Sequence, residues 1–430
     1  MNKVEKIVIL GSGIAGLSAG FCLSQNNITS KIYEKNNDWG GLCGNFSIDG
    51  FRFDKFVHLS FTKNNDIIKI FTENTTFIDH KPTAGNYYKG LWIKHPVQNN
   101  LSPLPLKEKI KIIFDFLKRE KMESSDIQNY EQWLRCQYGD YFAQNFPMEY
   151  TKKYWGVDAK ELETKWVGER MHCPSLKEVL SGAFKKNEKN YYYASSMRYP
   201  QKGGFRSFFD DIRKNQDISF NKEAVKIDTK QQKVSFSDGT IEKYDKLISS
   251  LPLPEVIKIL ENVPEKIQNA AKSLRYTSGF MVSIGVRKPN LVKDLWFYVY
   301  DKDIPFARVY SPSIKSPDNA PEGCSSFQAE IFFDNNTAKP SSEVILQKTC
   351  EGFEQMKLIR LHDIILRDIR FEKYANIIFD KEIYKNRQVV IEYLNENKII
   401  TTGRFGKWDY FWSDQAFEDG KTSAQELINN

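Results

Sequence analysis

The residues best suited to chemistry stand at the front of the chain. The run Ile7-Val8-Ile9-Leu10 leads directly into Gly11-Ser12-Gly13-Ile14-Ala15-Gly16, a G-x-G-x-x-G motif, and then into a helix-period stretch with Leu17, Phe21 and Leu23. Gly11 permits the tight bend, Gly13 lets the backbone approach a pyrophosphate, and Gly16 lets the helix sit close to the strand. The helix N-terminus, with Ser12 and Ala15 in the same turn, offers N–H groups and partial positive charge to phosphates. A second extended run, Lys31-Ile32-Tyr33, ends in Glu34-Lys35, where the acid accepts from a ribose hydroxyl. Strand, Gly turn, helix, strand and acid in this order describe a dinucleotide site.

The next residues say which dinucleotide. Asp38-Trp39-Gly40-Gly41-Leu42-Cys43-Gly44 places a second Gly pair just past the acidic strand. It resembles the second phosphate contact of FAD proteins of the glutathione-reductase and amine-oxidase types, which NAD-binding domains usually lack. The cofactor expected is FAD.

Composition bounds the rest. The chain has 430 residues, 27% of them charged and 40% hydrophobic, which suits two or three soluble globular domains. The net charge of +7 suits an anionic partner such as a nucleotide. The basic residues are scattered and no nucleic-acid motif is present, so no nucleic-acid partner is expected. Six cysteines without C-x-x-C spacing read as thiols in a reducing compartment, and no metal site is expected. The dinucleotide strand begins too early to leave room for a signal peptide, and no run is long and apolar enough to span a membrane. The expected location is the cytoplasm.

These motifs need elements to hold them. Phe51 to His58 reads as an extended segment that brings His58 toward a flavin; a lone histidine is more commonly structural. Residues 66–74 read as a short helix and 87–93 as a hairpin. From 106 to 184 the pattern is helical, with Ile110, Ile113, Phe114 and Leu117 on one face among Lys107, Lys109, Lys111, Lys118, Arg119 and Lys121. A solvated face on a packed helix is the commoner origin of such lysines; the other reading is peripheral contact with an anionic membrane. Ile218–Phe220, Ala224–Ile227 and Val234–Phe236 read as a three-stranded meander that returns through Lys246–Ser250, with Val225 counted among the cofactor residues. Alternating runs between 275 and 335 predict an antiparallel sheet. Near the end, Lys398–Thr402 reads as a strand opening into Gly403-Arg404, and a helix starts at Ser413-Asp414-Gln415, its N-terminus stabilising negative charge on reduced flavin. The expected class is α/β: a Rossmann-like FAD domain (1–75, 195–255, 396–430), a helical insertion (100–194) and an antiparallel substrate sheet (76–99, 256–395).

Several segments, taken in order, resemble the UDP-galactopyranose mutase family within the FAD amine-oxidase-like group. They are Asn129-Tyr130-Glu131, Tyr150-Thr151-Lys152-Lys153-Tyr154-Trp155-Gly156, Pro200 to Phe205, and Gly403-Arg404 with Trp408-Asp409-Tyr410 and Asp414. The family shows N-Y-E, Y-T-x-K-x-W-G, P-x-G-G-Y and G-R-x-x-x-Y-K-Y-Y-D-M-D. The resemblance implies an isomerase of nucleotide sugars in polysaccharide synthesis. In it the N5 atom of reduced FAD attacks the anomeric carbon, expels the nucleoside diphosphate, and lets the sugar ring reclose as a furanose. NAD(P)H is a reductant compatible with such a cycle, and a homodimer a compatible assembly.

By position, the resemblance puts Phe146 and Trp155 in the nucleotide pocket and Tyr150 and Thr151 near the diphosphate, with Tyr199 among the substrate residues. Arg170 matches, to within one residue, an arginine that clamps the diphosphate; Arg404 lies by the flavin and Tyr410 bonds the diphosphate near N5. His58 matches the first histidine of the family's G-P-H-I-F-H. Here that motif reads Phe56-Val57-His58-Leu59-Ser60-Phe61, so its Gly-Pro and second histidine are lost. The family's Tyr-Arg-Ser becomes Tyr276-Thr277-Ser278, with Arg308 or Arg275 as replacement cation. These departures argue for a sugar other than galactose or altered chemistry. The alternative function is an amine-oxidase-like or protoporphyrinogen-oxidase-like FAD oxidoreductase; a non-enzymatic flavin-bound scaffold fits the pocket aromatics less well.

Overall fold

The run Ile7–Leu10 is buried at all four positions and forms strand β1. A strand covered on both faces reads as a continuous apolar run, the mark of a parallel sheet. Helix α1 (Ile14–Gln25) follows the Gly turn, and β2 (Ser30–Tyr33) returns parallel to β1. The computed structural model describes residues 5–429 apart from 124, 188–190, 192 and 193.

The chain then leaves this sheet. A hairpin of β3 (Ala84–Tyr88) and β4 (Leu91–Lys94) turns at Lys89-Gly90. The helical stretch includes α2 (Leu106–Lys118), α3 (Pro147–Trp155) and α4 (Leu176–Phe184). Helix α3 starts on Pro147, whose missing N–H costs nothing at a first helical position, and stops at Gly156 with φ 68°. Strands β5 (Asp217–Ser219) and β6 (Lys246–Ser249) rejoin the parallel sheet on its two sides.

Residues 276–377 build most of a second sheet from β7 (Tyr276–Val286), β8 (Trp296–Val299), β9 (Arg308–Tyr310), β10 (Ser325–Asp334) and β11 (Ile364–Ile377). Its order is β11-β7-β10-β9-β8-β3-β4, antiparallel except where β8 runs parallel to β3. Strand β12 (Ile399–Thr401) pairs with β6 and completes the first sheet in the order β12-β6-β1-β2-β5, all parallel. Helix α5 (Ser413–Asn429) packs on α1 so closely that a Cβ on Gly420 would lie 2.2 Å from the Ala15 carbonyl oxygen. The expected α/β class with a parallel and an antiparallel sheet is what the chain adopts.

Three local expectations need correction. The strand at Ile218 does not begin the meander: it hydrogen-bonds to β2, and the meander is Ala224–Asp228, Lys233–Phe236 and Ile241–Lys243. Strand β11 escaped prediction because charged residues interrupt it; as an edge strand paired only with β7, it keeps polar side chains at its margin. In α2 the buried residues are Ile112 and Phe116, whereas Ile110, Phe114 and Leu117 face outward. Among the described residues no helix is long and apolar enough to cross a membrane, and no cluster of His, Cys, Asp and Glu could hold a metal ion.

Candidate active site

The two Gly turns meet. Gly40 donates its N–H to the Ser12 carbonyl at 2.9 Å, and a Cβ on Gly41 would come within 3.2 Å of the Gly13 Cα. Gly16 is fixed by packing: a Cβ there would lie 2.0 Å from the Gly11 carbonyl oxygen. Gly13 is different, because a Cβ there meets nothing within 4 Å. Its face looks into a cavity of about 600 Å³, a size typical of ligand sites. Glu34 is buried beneath, and both its oxygens are engaged by this chain. One accepts from the Ser12 N–H and Oγ, each at 2.9 Å; the other accepts from the Asn36 N–H at 3.0 Å and its Nδ2 at 2.7 Å.

From the Gly turns the cavity runs along Gly40–Cys43 and Val57–Leu59 to a second region walled by Tyr154, Trp296, Tyr298, Arg308, Gly403–Phe405 and Tyr410–Ser413. Here β8, β9, α3 and the start of α5 converge. Gly403 adopts φ 80° and donates its N–H to Asp419 at 2.6 Å, which ties the end of β12 to α5. A Cβ on Gly403 would strike that of Ala15 at 2.6 Å.

His58 stacks on Phe205 at 5.1 Å between centroids, and its buried Nδ1 has no hydrogen-bond partner. Burial above all holds its pKa down at about 4, with Asp54 opposing and Lys315 assisting, so the imidazole is neutral at neutral pH. Arg308 donates Nε to Glu330 at 2.7 Å, and Glu330 also accepts from the Val57 N–H at 2.8 Å. Burial opposes the charge on Arg308, but Glu330 outweighs it and keeps the guanidinium cationic. Arg404 donates to the Asn376 Oδ1 at 3.1 Å, and the same oxygen accepts from the Tyr154 hydroxyl at 2.9 Å. Arg170 donates to the carbonyls of Trp166 and Tyr410 at 2.8 and 3.1 Å and covers the rings of Tyr410 and Trp412. The buried Nε atoms of Arg170 and Arg404 lack partners.

Of the expected residues, Gly11, Gly13, Ala15, Glu34, Lys35, Gly40, Gly41, Leu42, His58, Arg308, Gly403, Arg404, Tyr410 and Ser413 line the cavity. Ser12 and Gly16 support it from behind. Arg170 sits one layer back, on Tyr410. Four aromatic positions and one hydroxyl do not reach the wall. Phe146 packs on Phe142 and Tyr88; Tyr150 stacks on Tyr154; Trp155 lies between Tyr154 and Trp166; Tyr199 donates to Asp54. Thr151 bonds back to the Pro147 carbonyl within its own helix. Val225 is 45% exposed and does not line the cavity; nor do Asp414 and Gln415, which sit between the lining residues Ser413 and Ala416, Gln415 accepting from the Trp412 N–H. Of the two candidate replacement cations, Arg275 is paired with Glu161 and Asp334, and Arg308 alone lines the cavity. Sequence reasoning missed Tyr154, Trp296, Tyr298, Glu330 and Asn376. Tyr154 lay inside a recognised motif; the others gave no local signal.

The model of the family described as flavin-containing amine oxidoreductase matches residues 14–373. The chain belongs to that family. Its fold is also that of reduced UDP-galactopyranose mutase, with a TM-score of 0.92 at 23% identity over 99% of this chain and 96% of that one. A protein assigned as a protoporphyrinogen oxidase from Exiguobacterium sp. 255-15 has a TM-score of 0.77 at 15% identity, with 99% of each chain covered. The dTDP-fucopyranose mutase of Escherichia coli is 22% identical over 229 residues, 50% of this chain and 56% of that protein. The alignments to curated relatives are thus partial: a 4,4'-diaponeurosporene oxygenase of Staphylococcus haemolyticus shares 40% identity over 50 residues, 10% of its length.

The residues present fit the flavin dinucleotide that this family binds. The open face at Gly13 leaves room for a pyrophosphate, and Arg404 and Ser413 at the start of α5 line the far end of the same cavity. A ribose hydroxyl would reach Glu34 by displacing the Asn36 amide, because a carboxylate's acceptor positions are otherwise filled.

Proposed function

We propose that the protein is a flavin-dependent mutase that interconverts the pyranose and furanose forms of a nucleoside-diphosphate sugar. One observation carries this reading: Arg308 and Arg404 line an aromatic-walled cavity, and Arg170 lies one layer behind them on Tyr410. Guanidinium groups match the bidentate geometry of phosphate and repel a protonated amine. The alternative, oxidation of an amine, calls for a site without that cationic cluster.

FAD in its reduced form supplies, when bound, the nucleophile for the anomeric carbon. The chain's own residues do the rest. Arg404, on the cavity wall, holds the diphosphate as it leaves and keeps it near for recapture, and Arg170, behind the same Tyr410 ring, adds its charge. The Tyr410 hydroxyl is the hydrogen-bond donor between them. Arg308, fixed by Glu330, offers its charge to the sugar side. His58 stays neutral, so it donates or accepts a hydrogen bond at the cavity wall without adding charge there. Tyr154, Trp296 and Tyr298 keep water away from the electrophilic anomeric carbon, where it would compete as a nucleophile. The loss of a second histidine and the move of the arginine from the Thr277 position to Arg308 favour a sugar other than galactose.

The test is chromatography of UDP-, dTDP- and GDP-linked pyranoses incubated with the yellow protein, with and without dithionite. An isomer of unchanged mass, formed only under reduction, is expected. Oxygen uptake or flavin reduction by a small amine, with no isomer from any sugar, would overturn the assignment.

A further inference from the structure

Helix α2 has two apolar faces, and the fold buries only one. Ile112 and Phe116 point inward, while Leu106, Ile110, Phe114 and Leu117 share the outer side and are 64, 57, 51 and 59% exposed. Helix α4 packs against α2 and repeats the arrangement. Val179, Gly182 and Ala183 are buried; Leu176, Leu180 and Phe184, spaced i, i+4, i+8, are exposed. Among the described residues, seven of the fifteen large exposed hydrophobic side chains therefore fall on two neighbouring helices, which scatter over the surface does not produce.

The charges beside this patch have one sign. Lys107, Lys111 and Lys118 follow the flank next to Phe114, and Lys118 Nζ lies 4.2 Å from the Phe114 ring centre. Lys177 and Lys185 accompany α4. The acids of these helices turn to the protein. Glu108 accepts from the Tyr88 hydroxyl and Lys89, Asp115 from the Tyr141 N–H, and Glu178 from Ser175. Glu120 and Glu123 lie past the end of α2.

We propose that the α2–α4 face docks the protein peripherally on an anionic lipid bilayer. An outer apolar stripe edged by lysines sinks into the boundary between headgroups and acyl chains while the ammonium groups meet anionic headgroups. A second copy of the chain is a poorer occupant: a two-fold contact sets a patch against itself and would bring lysine edge to lysine edge. This binding is independent of the proposed reaction.

The experiment is co-sedimentation of the full-length protein with phosphatidylcholine vesicles, with and without phosphatidylglycerol, at low and high salt. Binding only to the anionic vesicles, weakened by salt, is expected. The Ile110→Glu/Phe114→Glu variant should lose binding, and Lys107→Gln/Lys111→Gln/Lys118→Gln should lose about a hundredfold, from roughly a tenfold effect or less per lysine. Both should melt at the wild-type temperature, since every changed side chain is exposed. Absence of wild-type binding to anionic vesicles, or equal binding by the variants, would overturn the proposal. So would a wild-type dimer without lipid affinity that Ile110→Glu/Phe114→Glu splits into monomers in light scattering, because the face would then join two copies.

Discussion

The guanidinium carbon of Arg170 lies 4.6 Å from the centre of the Tyr410 ring, although 240 residues separate them. Arg404 covers the same ring at 4.9 Å. Tyr410 thus holds two cations in place that would otherwise repel, and the proposed diphosphate clamp rests on this arrangement.

Loss of either cation should act on turnover more than on folding. Arg170→Ala or Arg404→Ala should lower kcat/KM of the mutase reaction by roughly 10- to 100-fold, the value of a charge-assisted hydrogen bond of about 1.5–3 kcal/mol. The lysine variants should recover only part, because an ammonium has neither the planar stack nor the fork. Steady-state kinetics under dithionite decides; full activity in both alanine variants would remove these arginines from the clamp.

Asn376 should prove to be a positioning residue. Its Oδ1 accepts from both Tyr154 and Arg404. Asn376→Ala leaves two buried donors without that acceptor, a cost of about 1–3 kcal/mol in stability. Asn376→Asp retains the acceptor and should recover catalysis more than stability. Denaturant unfolding read beside kcat and KM separates the two effects.

The glycines of the first turn should respond differently. In Gly13→Ala the new methyl meets no protein atom within 4 Å, so the apoprotein should melt unchanged while flavin affinity drops about tenfold or more. Gly16→Ala drives a methyl into the Gly11 carbonyl and should cost the fold itself. Fluorescence titration with FAD and thermal melting of the apoproteins test the pair.

His58 and His95 are both held down to about 4, in each case mainly by burial. Between that value and the ordinary 6.5, the unfolded chain binds protons that the folded chain refuses. Stability should therefore fall as pH is lowered through this window, by up to about 1.4 kcal/mol per pH unit for each histidine. Comparing urea unfolding at about pH 7 and about pH 5 for wild type and His58→Gln isolates one share; an unchanged difference would mean that His58 protonates freely. Above about pH 5 no step in activity should trace to His58.

Much of the nucleotide end could be read from the chain because it is local. The Gly11–Gly16 turn, Glu34 and Gly40-Gly41 fall within about thirty residues, and their backbone requirements are written in residue type. The twin faces of α2 could not be read so. Periodicity revealed apolar positions but not which of two stripes the neighbouring helices would cover, and Ile112 and Phe116 were buried in place of Ile110 and Phe114.

By itself, then, the sequence determined the dinucleotide turn, the two-sheet class and the family, since each depends on residues close in the chain or on ordered motifs. Only the tertiary structure decided which side chains share the cavity. It set Arg308 on Glu330 where Arg275 was the other candidate, and joined Tyr154 to Arg404 through Asn376. It also moved Phe146, Thr151 and Tyr199 behind the wall. The physical reason is that a binding surface is made where distant strands and helices converge. A side chain's exposure there depends on every element packed around it, and no window of sequence contains that information.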